Sequence, residues 1–166
     1  HNEANKLKQR YFINMVAMGF DAYVSKVAEA RKKMGKSMGF LSILFAALRS
    51  YKPKDIQLKI DNQHRGDFEL FSLSLGICKY RAAGIKQCPD AKYDDGLLDL
   101  TLIEKISAFK VLRTISRLYG GRFIKNKGVH QFRGHQFDIK TVKSNFLEID
   151  GEIIGSGSAS FSVLPK

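Results

Sequence analysis

The chain has 166 residues, 44% of them hydrophobic, and carries 28 Lys and Arg against 16 Asp and Glu, a formal net charge of +12. That length and apolar content suit one domain with its own core and exclude a disordered tail. The charge excess points to an anionic partner (nucleic acid, a membrane surface or a phosphate-bearing substrate) or serves general solubility. The longest apolar stretch, Met38 to Leu48, is too short to span a bilayer. No signal-peptide pattern opens the chain. Cys78 and Cys88 form neither a disulfide framework nor a metal knuckle, and read as reduced thiols of a cytoplasmic protein.

Residues 1 to 9 are polar. Arg10 to Ala17 is apolar and partly β-branched, and predicts a strand. Asp21 to Met34 has one apolar face, with Asp21 as N-cap and Gly35 as the stop. Phe40 to Tyr51 is apolar almost all round and predicts a buried helix. Leu58 to Asp61 predicts a strand, Asn62 to Asp67 a polar hairpin loop, and Phe68 to Ile77 a central strand. Leu98, Leu100 and Leu102 alternate with Asp99, Thr101 and Ile103, the period of a further strand. Ser107 caps a helix that Gly120-Gly121 ends. Beyond Val129 come short strands at Gln136 to Val142, Phe146 to Ile149 and Ser158 to Leu164. Many strands with a few helices predict an α+β fold whose strand-rich tail forms a sandwich or distorted barrel.

Three stretches carry candidate chemistry. Asp94-Asp95-Gly96 is a tight bend before a strand. A carboxylate with bent-loop carbonyls outlines a hard-cation site; an Asp capping its own turn has the same spacing. Asp150-Gly151-Glu152 sets two acids around a glycine, either as a general-base pair for phosphoryl transfer to a hydroxyl or as a solvated hairpin turn. Lys110, Arg113 and Arg117 share one face of the expected helix, and Arg122, Lys125 and Lys127 extend the charge. This face suits an anionic membrane surface. The four histidines form no ligand pattern. No nucleic-acid partner is expected, because aromatic and basic residues are not interleaved as a stacking platform.

Cys88-Pro89-Asp90-Ala91, continuing through Asp94-Asp95-Gly96-Leu97-Leu98-Asp99-Leu100, resembles the P-x-A-x(3)-DG-x-L-D signature of the bacterial diacylglycerol kinase and lipid kinase family. Tyr11 to Asn14 with Met18 to Ala22 is similar to the segment that opens that family's C-terminal domain, and Ile149 to Glu152 resembles its late D-G-E motif. The three occur in the family's order. The resemblance implies a β-sandwich-like domain with flanking helices, residues 1–166 being the C-terminal half of a two-domain kinase. It implies ATP-dependent phosphorylation of a lipid hydroxyl, diacylglycerol-like, with ATP held mainly by an N-terminal domain bearing a Gly-Gly-Asp-Gly-Thr motif that this chain lacks. It implies catalytic roles for Asp150 and Glu152, and a Mg2+ site at Asp95 completed by the backbone carbonyls of Lys92 and Leu97. It implies a cytoplasmic enzyme peripheral at the inner membrane face, and an isolated chain without activity. The chain departs from the family at Ile77, where an asparagine is expected, and at Ala82-Ala83, within a glycine run. Those departures leave open a non-catalytic basic module that binds lipid or RNA.

Overall fold

In the computed structural model the described residues are 9–35, 39–81, 84–107, 110–111 and 122–164. Among them strand β1 (Met15–Gly19) leads into helix α1 (Phe20–Lys33) and helix α2 (Phe40–Ser50). Strands β2 (Lys54–Ile60), β3 (Gln63–Gly76) and β4 (Leu98–Glu104) follow. After a 3-10 turn (Arg122–Lys125) come β5 (Val129–Gly134), β6 (Gln136–Thr141), β7 (Phe146–Ile149), β8 (Glu152–Ser156) and β9 (Ala159–Ser162). The α+β expectation holds: the strands join in one antiparallel, curled sheet, ordered β8-β7-β1-β3-β2-β6-β9, with β4 branching from β3 and carrying β5.

β3 is the trunk of this arrangement. Its first half pairs with β2 from Gln63 to Leu70, and its second half with β1 on one edge and β4 on the other. The register slips between Leu70 and Ser72, so Phe71 sits in a β-bulge. A bulge changes which face successive residues present. Phe68 and Leu70 therefore share the main core with Leu73 and Leu75, whereas Phe71 turns outward beneath the helices. Strict alternation would put Leu70 on the face of Ser72 and Ser74; the extra residue breaks that parity.

The main core lies inside the curl and includes Val16, Met18, Ile56, Leu58, Leu100, Leu102, Phe137 and Ile139. A second cluster joins the helices to the outer face: Phe20, Leu44, Ala47 and Phe71, with Phe20 stacked on Phe71 at 4.6 Å between ring centroids. Helix α2 buries only this side. Leu41 is 60% and Phe45 53% exposed, so its all-round apolar character marks a half-buried helix, contrary to expectation.

The boundaries differ for local reasons. The first strand begins at Met15 rather than Arg10, because the N–H groups of Ile13, Asn14 and Met15 donate to the Asp150 carboxylate. The loop expected over Asn62 to Asp67 contracts to a two-residue turn: Asp61 (φ 49°) and Asn62 (φ 65°) are both left-handed, the geometry that matches strand twist in a hairpin. Strands β5 and β8 were not anticipated. The N–H of Lys110 donates to the Ser107 hydroxyl, as the cap reading required, but the rest of that helix, including Arg113 and Arg117, lies outside the described residues, as do Ala82 and Ala83.

Candidate functional site

The outer face of the sheet is built from small and polar residues. Thr101, Ser74, Ala17 and Glu148 stand opposite one another in a row across β4, β3, β1 and β7. Ser72 and Gly19 are a register pair in the same sheet. Side chains this short cannot fill the space beneath α1 and α2. A cavity of about 760 Å³ results, walled by Phe20, Val24, Leu44, Phe71, Ile103 and Phe123. That volume lies within the range of small-molecule sites, which are mostly apolar with a few placed polar groups.

The polar groups gather at the sheet end. Asp21 is not the N-cap of α1; Gly19 holds that place and no side chain caps the helix. Gly19 has φ 85°, and a Cβ there would lie 2.7 Å from the Phe71 carbonyl oxygen. Only glycine permits this approach, and it sets the first turn of α1 against the sheet. The Asp21 carboxylate then accepts a hydrogen bond from Gln87 Nε2 (2.7 Å), and the single Ser74 hydroxyl proton goes to Gln87 Oε1 (2.6 Å), with the Asp21 carboxylate 3.3 Å from the same hydroxyl oxygen. Arg81 reaches Asp21 at 3.3 Å with one Nη and pairs with Glu148 through the other. Burial disfavours its charge, but Asp21 and Glu148 more than offset this and raise its pKa. Arg81, Glu148, Gln87 and Ser74 were not singled out from sequence. The available signal was an acid, Glu148, within an apolar strand.

The expected acid pair separates into two environments. Asp150 lies at the β7–β8 turn with φ 47°, and both of its carboxylate oxygens accept backbone N–H groups from residues 13 to 15 at 2.9 to 3.1 Å. Glu152 begins β8 and is exposed. Gly151 between them contributes to the cavity wall, which brings this turn and the polar cluster into one neighbourhood.

The Asp95 bend sits elsewhere, beside Ile77, Tyr93, His135 and Leu164. Asp95 Oδ1 accepts the Leu97 N–H at 3.1 Å, the self-capped turn that spacing also allowed. Arg133 lies 3.7 Å from Asp95 and forks onto Asp99 at 2.9 to 3.1 Å. Burial raises the pKa of Asp99; the Arg133 hydrogen bond opposes this, and Asp95 and Asp90 add to it. Two carboxylates, Asp95 and Asp99, thus share one guanidinium, which also donates to the Asp90 backbone carbonyl. Oxygen donors with surplus negative charge fit a hard cation. Among the described residues no three His, Cys, Asp or Glu side chains cluster as ligands, so an ion here would need the carbonyls of Lys92 and Leu97. His130, in β5, bonds Glu104 at 2.6 Å. No helix among the described residues is long and apolar enough to cross a membrane.

A family model described as the YegS C-terminal NAD kinase beta sandwich-like domain matches residues 14–166. A diacylglycerol kinase of Staphylococcus haemolyticus (strain JCSC1435) is 30% identical over 99% of this chain and 50% of that protein. One from Mycobacterium tuberculosis (strain CDC 1551 / Oshkosh) is 24% identical over 95% of this chain and 50% of that protein. The chain spans about half the length of the curated relatives it matches. A crystal structure of a Bacillus anthracis str. Sterne protein shares the fold at TM-score 0.58, with 18% identity over 91% of this chain and 51% of that one.

Proposed function

Because the chain belongs to the YegS C-terminal NAD kinase beta sandwich-like domain family, with diacylglycerol kinases among its relatives, we propose that it is the lipid-accepting half of an ATP-dependent lipid kinase. The observation that carries this reading is the apolar cavity of about 760 Å³ with its polar end beside the Asp150–Glu152 turn. The cavity takes the hydrocarbon of a diacylglycerol-like substrate, and the hydroxyl to be phosphorylated emerges at the turn. Glu152, exposed at the start of β8, is the general base that accepts the hydroxyl proton. Asp150 is a positioning residue: bound to three N–H groups of the residues entering β1, it fixes where Glu152 begins. ATP belongs to the half of the relatives that this chain does not span.

Mg2+ would be held at Asp95 with the Lys92 and Leu97 carbonyls, where a bound cation organises the bend that leads into β4. Lys110, with Arg113 and Arg117, is proposed to meet an anionic membrane surface from the cytoplasmic side. Phosphoryl transfer from ATP to dioleoylglycerol in mixed micelles, catalysed by the intact protein carrying this chain, tests the reading. Glu152→Gln is expected to lower kcat about 10²- to 10⁴-fold without changing the melting temperature. Near-normal turnover would remove Glu152 from the mechanism.

A further inference from the structure

Glu152 starts β8, an edge strand that among the described residues hydrogen-bonds to β7 alone. The place of Glu152 is therefore decided by what holds β7. One hold is backbone: Asp150 is tied to the N–H groups of Ile13, Asn14 and Met15. The other is Arg81. One Nη lies 3.3 Å from Asp21 in the first turn of α1, and the other pairs with Glu148. The register partner of Glu148 on β8 is Ile153, next to Glu152. The Arg81 side chain is 17% and that of Glu148 4% exposed, so salt screens this pair little. Arg81 is itself fixed: its N–H donates to the Ile85 carbonyl at 2.9 Å, and its carbonyl accepts the Gly84 N–H at 3.2 Å. From the same connection Gln87 Nε2 donates to Asp21 at 2.7 Å. The segment between β3 and β4 thus joins the wall of the cavity to the strand that carries the turn.

We infer that Arg81 is a positioning residue for phosphoryl transfer: by forking onto Asp21 and Glu148 it sets the β7–β8 turn, and Glu152 with it, at a fixed place relative to the cavity. This rests on the reading of Glu152 as the general base. Arg81 acts through Glu148 and not on the reacting atoms. The fork itself matters. A planar guanidinium presents its N–H groups in a rigid fan and serves two carboxylates at once, whereas an ammonium is a point charge on a flexible stem. Without Arg81, the acids of Asp21 and Glu148 lose the cation they share. Like charges then push α1 and β7 apart, or one acid takes up a proton. In both cases the turn loses a hold. A displacement of about 1 Å at a reacting group can cost about 10²-fold in rate.

The test is a double-mutant cycle in the intact protein carrying this chain, read as ATP-dependent transfer to dioleoylglycerol with melting temperatures measured alongside. Arg81→Lys keeps the charge and loses the fork. It is expected to lower kcat about tenfold or more while KM and the melting temperature stay near wild type. In the Glu152→Gln background the same substitution should cost little further, because the base it positions is gone. A merely structural arginine would lower activity in step with stability and by the same factor in both backgrounds. Should Arg81→Lys be unstable, Arg81→Met/Glu148→Gln runs the same cycle: it removes the buried pair whole, which is often neutral for stability, and leaves Asp21 its bond from Gln87. Wild-type kcat in a folded Arg81 variant, or equal losses with and without the Glu152 carboxylate, would overturn the inference. Failure of the underlying reading looks different: Glu152→Gln alone turns over at the wild-type rate, or wild type transfers nothing to dioleoylglycerol.

Discussion

Asp150 and Glu152 are two residues apart and sit in different surroundings, one bound to backbone and one exposed. Asp150 accepts three backbone donors, much as an N-cap carboxylate does. Asp150→Ala is expected to cost about 1–2 kcal/mol, read as a lower urea midpoint at unchanged slope, and Asp150→Asn less, since one acceptor survives. Cys88 gives the pH dependence. It is fully buried, and its thiol contacts the carbonyls of Ser74 and Asp99. Burial, the largest cause, raises its pKa from 9.0 to about 12. The folded chain therefore holds this proton more tightly than the unfolded one. The stability tied to it is complete below pH 9 and is lost as pH rises toward about 12. Cys88→Ala should flatten that alkaline slope in urea titrations across this range. A thiol reagent at pH 8 should leave Cys88 unmodified until denaturant is added. At the Asp95 bend, magnesium should raise the wild-type melting temperature more than that of Asp95→Ala. An equal response would exclude the site.

At the scale of elements, the alternation in Leu98 to Ile103 was legible because the strand keeps one parity, with Leu98, Leu100 and Leu102 in the main core and Thr101 and Ile103 on the cavity. β3 was legible as a strand but not in its facing, since the bulge at Phe71 has no local marker. β5 escaped notice because its burial is mixed along both faces. The polar end of the cavity was the least legible feature. An acid one residue into a helix has the same local pattern whether it caps or reaches across the fold. The partners of Asp21 stand 53 and 66 residues away, beyond any periodicity. The turns give a direct check. Asn62→Ala forces a side chain that resists left-handed φ into the β2–β3 hairpin, at about 1 kcal/mol; Asn62→Gly should be neutral or stabilising. Gly19→Ala should cost more than Asn62→Ala, because its Cβ collides with backbone 2.7 Å away. Comparing the two melting temperatures tests that ranking.

Over the whole molecule, the +12 charge is only partly placed. Lys26 comes from α1, Lys54 from β2 and Lys143 from the β6–β7 connection; burial, then Lys143 and Lys26, lower the pKa of Lys54. Lys143→Glu should raise the melting temperature slightly at low salt, and the gain should fade as salt screens it. The pairing of β1 between β3 and β7 reaches further. Met15 N–H meets Asp150 across 135 residues, so β1 cannot be enclosed until β7 has been made. During synthesis one edge of an apolar strand stays open, ready to pair with a neighbouring nascent chain. Refolding should be slow for this size, since non-local closure precedes its reward. A chain stopped before Phe146 should scatter light at concentrations where the whole chain stays clear.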